Sequence, residues 1–132
     1  MTATTTLRLE EVYIGPGQNY LCTEKVAEYR ASGIASIIDQ MKERQRDSHF
    51  VRIGRLGPSE FLYLIDFCHR SRALLDLGQR EVQMIKPPPA DIYNISDNEM
   101  PPLLVDAPFL GLAAYREWYE DFVGETLDGD EL

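Results

Sequence analysis

The sequence predicts an α+β fold, a single compact domain with about three helices and three to four short strands. Three observations lead there. The chain has 132 residues, the length of one domain. Its apolar residues switch along the chain between two-residue alternation and helical spacing. Glycine and proline separate the segments in which each pattern holds. At this size roughly two-thirds of the extended chain's surface is buried on folding, enough for a core without staples.

The elements follow in order. Leu7, Leu9, Val12 and Ile14, with Arg8, Glu10 and Glu11 between them, read as a strand that slips register at Glu10–Glu11. Gly15-Pro16-Gly17 then breaks it. Thr23 is placed to cap a helix starting at Glu24, and Ser32 offers a second cap just before Gly33. Residues 24–46 are therefore expected to form one helix interrupted at Gly33, or two short ones. Ile34, Ile37, Ile38 and Met41 recur at helical spacing and should face the core.

Phe50 to Gly54 reads as a short strand. Glu60 to Leu77 satisfies two patterns: Phe61, Leu64, Ile65 and Cys68 fit a helix, with Asp66–Arg70 as an i,i+4 ion pair, whereas Phe61, Tyr63, Ile65 and Phe67 alternate as in a strand. Ser59 as a cap and Gly78 as a terminator favour the helix. Glu81 to Lys86 reads as a strand stopped by Pro87-Pro88-Pro89. Six of the 8 prolines fall between Pro87 and Pro108, so 87–108 is expected to be an extended connection. The last helix, 109–123, carries the strongest pattern. Tyr115, Trp118, Tyr119 and Phe122 lie at i, i+3, i+4 and i+7 on one face, with Glu117, Glu120 and Asp121 mainly off it. The domain is expected to span 1–124, followed by an acidic, flexible tail at 125–132.

Charge is uneven. The net formal charge is −9, yet residues 87–132 contain only Arg116 against 11 carboxylates, while residues 42–86 carry 9 basic and 6 acidic groups. This sign argues against a conventional nucleic-acid binder, which needs a positive surface. No apolar run approaches the ~20 residues of a membrane span. Met1 to Thr6 lacks the basic and apolar regions of a secretion signal, and 2 cysteines are too few for a disulfide framework. A cytoplasmic location is the expectation.

The residues that carry reactive chemistry are few. Cys22, His49, Cys68 and His69 show neither C-x₂-C nor H-x₃-H spacing, so no metal is expected. Gly15-Pro16-Gly17-Gln18 follows a strand but lacks both phosphate-loop patterns, and no cofactor is expected. Cys68 lies among apolar neighbours and reads as a buried, inert thiol. Asp66, also in an apolar stretch, is explained by pairing with Arg70.

By elimination the aromatic helix is the functional candidate. It predicts a non-enzymatic interaction or regulatory protein of the adaptor or inhibitor type. Tyr115, Trp118, Tyr119 and Phe122 would anchor a basic protein partner or a second copy of the chain, and Glu117, Glu120 and Asp121 would steer it. Trp118 is the ring expected to be buried, with Tyr115 or Tyr119 reaching outward. Two other classes compete: a small enzyme or ligand-binding protein using Cys68, His49 or Asp66, and a nucleic-acid binder using the 42–55 stretch with Lys42, Arg44, Arg46, Arg52 and Arg55.

Overall fold

The alternating N-terminal segment is divided between two sheets, Leu7 lying in one and Ile14 in another. In a computed structural model describing residues 4–15, 18–44, 50–85, 92–96 and 100–123, strand β1 (Thr4–Arg8) pairs antiparallel with β6 (Glu81–Ile85). A turn at Leu9–Glu11 follows, and β2 (Tyr13–Ile14) joins a separate sheet. The register slip at Glu10–Glu11 is thus a change of sheet. It puts Leu7, Leu9, Val12 and Ile14 all in the core, each at most 1% exposed.

The central sheet has the order β2-β5-β4-β7, with β4 (Val51–Leu56), β5 (Ser59–Leu64) and β7 (Ile92–Asn94). It is mixed: β4 and β5 are antiparallel, while β2–β5 and β4–β7 are parallel. A third pairing, parallel and two residues long, joins β3 (Leu21–Cys22) to β8 (Phe109–Leu110). The helices are α1 (Thr23–Ser32), α2 (Ile34–Arg44), α3 (Cys68–Asp76) and α4 (Leu112–Val123), and Leu104–Asp106 forms a 3₁₀ turn. The α+β class holds, with four helices and eight short strands among the described residues.

Gly33 ends α1 at φ 90°, a conformation that L side chains avoid, and its carbonyl accepts the first α2 hydrogen bond from Ile37. The split into two helices is as expected, but neither side-chain cap forms. The N-cap position of α1 is Cys22, which makes no side-chain capping bond. Thr23 Oγ1 donates to the Leu110 carbonyl, and Ser32 Oγ turns back to Tyr29. Ile37 and Met41 are fully buried, and Ile34 and Ile38 pack against the same core.

The expected helix over 60–77 is half strand. Gly57-Pro58 is a two-residue hairpin loop that pairs Leu56 with Ser59 and runs in register to Val51↔Leu64. Such a loop needs positive φ at its first position, which Gly57 supplies at 58°, and the fixed φ of Pro58 suits the second. Six cross-strand pairs then outweigh the local capping preference of Ser59. Helix α3 begins only after Phe67 has turned left-handed at φ 63°. It stops at Gly78 (φ 93°), as the sequence suggested, with Gln79 N–H reaching back to the Leu74 carbonyl. The Asp66–Arg70 pair is replaced too. Asp66 is exposed and accepts from the Phe67 amide, while Arg70 is buried, donates to Gln40 and stacks on Tyr29.

Within 87–108 the described residues are not simply extended, since β7 and the 3₁₀ turn form there. Residues 102–104 run beside β2, with Ile14 N–H on the Pro102 carbonyl and Leu104 N–H on that of Val12. Arg72 ties this segment to α3 through the Leu104 and Val105 carbonyls, bonds Asp76 and lies over Phe109. The last helix begins at Leu112 and not 109, because Phe109 and Leu110 are taken by β8. Pro87 to Pro89 and the tail at 125–132 lie outside the described residues.

Candidate functional site

Helix α4 stands over β3 and β8 at the edge of the fold. Its first hydrogen bond runs from the Tyr115 amide to the Gly111 carbonyl at 2.8 Å. The four aromatic rings do share one face. Tyr115 packs against Trp118 and Tyr119, with centroids 5.5 and 6.1 Å away, and Trp118 stacks on Phe122 at 5.7 Å and 9°. Tyr20 meets Trp118 edge-on. Tyr115, not Trp118, is the buried ring: it clusters with Cys22 and meets the His69 ring edge-on beneath the helix, while Trp118 and Tyr119 pack against that cluster from outside. Trp118 and Tyr119 are half-buried, and Phe122 is 55% exposed. Glu117 and Asp121 are exposed, whereas Glu120 is half-buried.

Beneath the inner side of α4 lies a cleft of about 180 Å³ between Gln18, the start of α3 and the rings of Tyr115 and Tyr119. Gly15 lets the chain pass close behind it: a Cβ there would stand 2.8 Å from the Leu64 carbonyl oxygen. Cys68 lines the cleft, and burial pushes its thiol up to about 12, against the lowering effect of the Gly15 amide. A thiol so held is a weak nucleophile at neutral pH. Gln18 Nε2 donates both to the Tyr20 carbonyl and to the Tyr115 hydroxyl.

His69 is a residue whose role the sequence did not reveal. It is 7% exposed, and its Nε2 accepts the Cys22 amide at 3.0 Å. Burial, followed by the charges of Lys25 and Arg70, pulls it down to about 4. The ring is therefore neutral at pH 7. Nε2 is committed to Cys22 and cannot take a proton from Cys68. The partner residue is 47 positions away in the chain, and no local spacing announces it. His49, the other candidate partner for Cys68, lies outside the described residues, and Asp66 sits exposed at the cleft mouth.

The basic stretch is dispersed. Lys42 and Arg44 end α2, Arg52 and Arg55 lie on β4, and Arg55 pairs with Glu60 at 2.7 Å. Arg46 lies outside the described residues. Among the described residues no three His, Cys, Asp or Glu side chains gather as a metal set would, and no helix is long and apolar enough to cross a membrane.

No family model matches the chain, and no curated protein sequence matches it. Among solved structures it is similar to one titled "Crystal structure of protein Atu1540 from Agrobacterium tumefaciens", at 18% identity and a TM-score of 0.38. That alignment covers 98% of this chain and 53% of the other, so the chain spans about half of that protein's length.

Proposed function

We infer that this chain is a cytoplasmic adaptor or inhibitor that works by protein–protein contact, with the outer face of α4 docking on a basic surface of another protein. One observation carries the reading. Helix α4 is 12 residues long, yet Tyr115 is its only buried side chain among those described, while the aromatic stripe continues outward to Phe122. A helix that served only the core would turn its aromatic face inward. A half-buried tryptophan stacked on an exposed phenylalanine beside carboxylates is instead the composition of an anchored contact with a charged rim. Trp118 and Phe122 form the anchor. Glu117 and Asp121 flank it, and opposite charge on the partner speeds encounter in a salt-dependent way.

The test is capture from native lysate with the full chain and two variants, Phe122→Ser and the double charge reversal Glu117→Lys/Asp121→Lys. All three substituted positions are exposed, so folding should be unaffected, which circular dichroism checks. The expected result is a stoichiometric protein retained by the wild type at low salt, released at high salt and lost with either variant. Proteins retained equally by all three would overturn the reading. Wild-type self-association abolished by Phe122→Ser would replace the basic partner with a second copy.

A further inference from the structure

A groove of about 370 Å³ opens between β1 and β5, with Thr6, Leu7 and Arg8 on one wall and Glu60, Phe61 and Leu62 on the other. Both walls are strand edges. Among the described residues β1 pairs only with β6, and β5 pairs with β4 along its length but with β2 only at Tyr63 and Leu64. The register shows which backbone groups face the groove. The Leu9 amide donates to the Arg80 carbonyl. By the alternation of an antiparallel ladder, Leu7↔Val82 is then a bonded pair, and Thr6 and Arg8 turn their N–H and C=O away from β6. On the other wall the Ile65 amide donates to the Phe50 carbonyl. Gly54↔Phe61 is therefore bonded, and Glu60 and Leu62 turn theirs away from β4. The Arg8 carbonyl is taken by the Glu11 amide, and that of Leu62 faces Tyr13 of β2. The Thr6 and Glu60 amides and carbonyls and the Arg8 and Leu62 amides are left without a backbone partner among the described residues.

A single open edge is ordinary, and water satisfies it. Two open edges on opposite walls of one groove carry the hydrogen-bond pattern of a missing strand. Thr6 to Arg8 and Glu60 to Leu62 are matched in length, each about 10 Å at ~3.3 Å per residue. The floor is apolar, with Leu7 and Val12 buried and Leu62 half-buried. The charges at the rim are already matched: Arg8 pairs with Glu11 at 3.7 Å and with Glu81 at 3.9 Å, and Glu60 with Arg55 at 2.7 Å. A charged occupant would have to break one of these pairs, so the groove suits a neutral backbone.

We propose that this groove accepts an uncharged, extended segment of another protein as an added strand, joining the β1–β6 pair to the central sheet. Main-chain hydrogen bonds from both walls hold it, and alternate side chains point down toward Leu7 and Leu62. The preferred sequence therefore alternates, with apolar residues inward and threonine or serine outward. The groove shares no residue with the outer face of α4, and either site can fail without the other.

The experiment is an amide-resolved NMR titration of the full chain with the capped peptide acetyl-Thr-Val-Thr-Val-Thr-amide. The expected result is saturable shifts centred on the Thr6, Arg8, Glu60 and Leu62 amides, equal at low and high sodium chloride and retained in Phe122→Ser. The same peptide N-methylated at both valines keeps its side chains but loses its donors toward one wall, and should bind about tenfold more weakly. In the free protein the Thr6 and Glu60 amides should exchange their hydrogens faster than those of Leu7 and Phe61, and slow when the peptide binds. Shifts that are absent, do not saturate or centre elsewhere would overturn the proposal, as would equal binding of the methylated peptide. Thr6 and Glu60 amides already protected in the free monomer would do the same without any peptide. A dimer formed through these amides would overturn the choice of occupant in favour of a second copy.

Discussion

Helices α3 and α4 invert the usual relation between composition and burial. Helix α3 begins Cys-His-Arg-Ser-Arg, yet it buries His69, Arg70, Ser71, Ala73 and Leu74. Helix α4 carries Tyr115, Trp118, Tyr119 and Phe122, yet only Tyr115 is buried among its described side chains. The difference lies in what surrounds each one. Helix α3 is packed by α1, α2, β3 and the 3₁₀ turn, so even its polar groups go inside and must find partners there. Helix α4 rests on a small cluster of its own around Cys22 and Tyr115. Apolar content selects which face of a helix turns inward, and neighbours decide whether anything is there to meet it.

The sharpest test of this contrast is a pair of truncations read by urea unfolding. Leu74→Ala, in the middle of α3 and fully buried, should cost about 3 kcal/mol, as large-to-small changes in a packed core do. Trp118→Ala removes a larger side chain from a half-buried place and should cost under about 2 kcal/mol, below the 3–5 typical of a core tryptophan. Equal losses would make α4 part of the same core and remove the argument that its face is free for a partner.

The next effect separates the two helices by pH. His69 is held down to about 4 in the folded protein, while an unfolded imidazole titrates near 6.5. Between these values the unfolded state binds the additional proton, so stability is complete above the unfolded pKa and falls as pH drops. The loss from pH 7 to pH 5 should be roughly 2 kcal/mol. His69→Gln, whose amide oxygen can accept the Cys22 N–H, should flatten that part of the profile. An unchanged pH slope in the variant would mean that another group is responsible.

The smallest effect is on Ser71, whose hydroxyl is buried and meets no hydrogen-bond partner among the described residues. Ser71→Ala should leave stability unchanged or raise it by up to about 1 kcal/mol, since it removes a desolvated polar group without opening a large cavity. A clear loss of stability would mean that the hydroxyl does have a partner, and that α3 is as well satisfied as it is deeply packed.

Much of the fold is legible in local patterns. The break at Gly33, the strands near 51–56 and 81–85, the stop at Gly78 and the shared aromatic face of α4 all follow from spacing within a few residues. The region 59–76 was harder because both periodicities run through it, and the choice rests on pairing with β4. At the site, the sequence identified the aromatic stripe but reversed the roles of Tyr115 and Trp118. Helical spacing shows that the rings share a face, without showing which end of that face lies over Cys22. Arg72 was unremarkable in sequence, since its acceptors are backbone carbonyls more than 30 residues away.

By itself, then, the chain determines its α+β class, its main break points, its acidic C-terminal third and the alignment of four aromatic rings. All of these depend on backbone propensity, periodicity and charge carried by neighbouring residues. The tertiary structure alone decides that 59–64 is a strand, that His69 is neutral and accepts the Cys22 amide, and that α4 shows one side to a cleft and the other to solvent. Each of these depends on a contact between distant parts of the chain, and its energy exists only once they have been brought together.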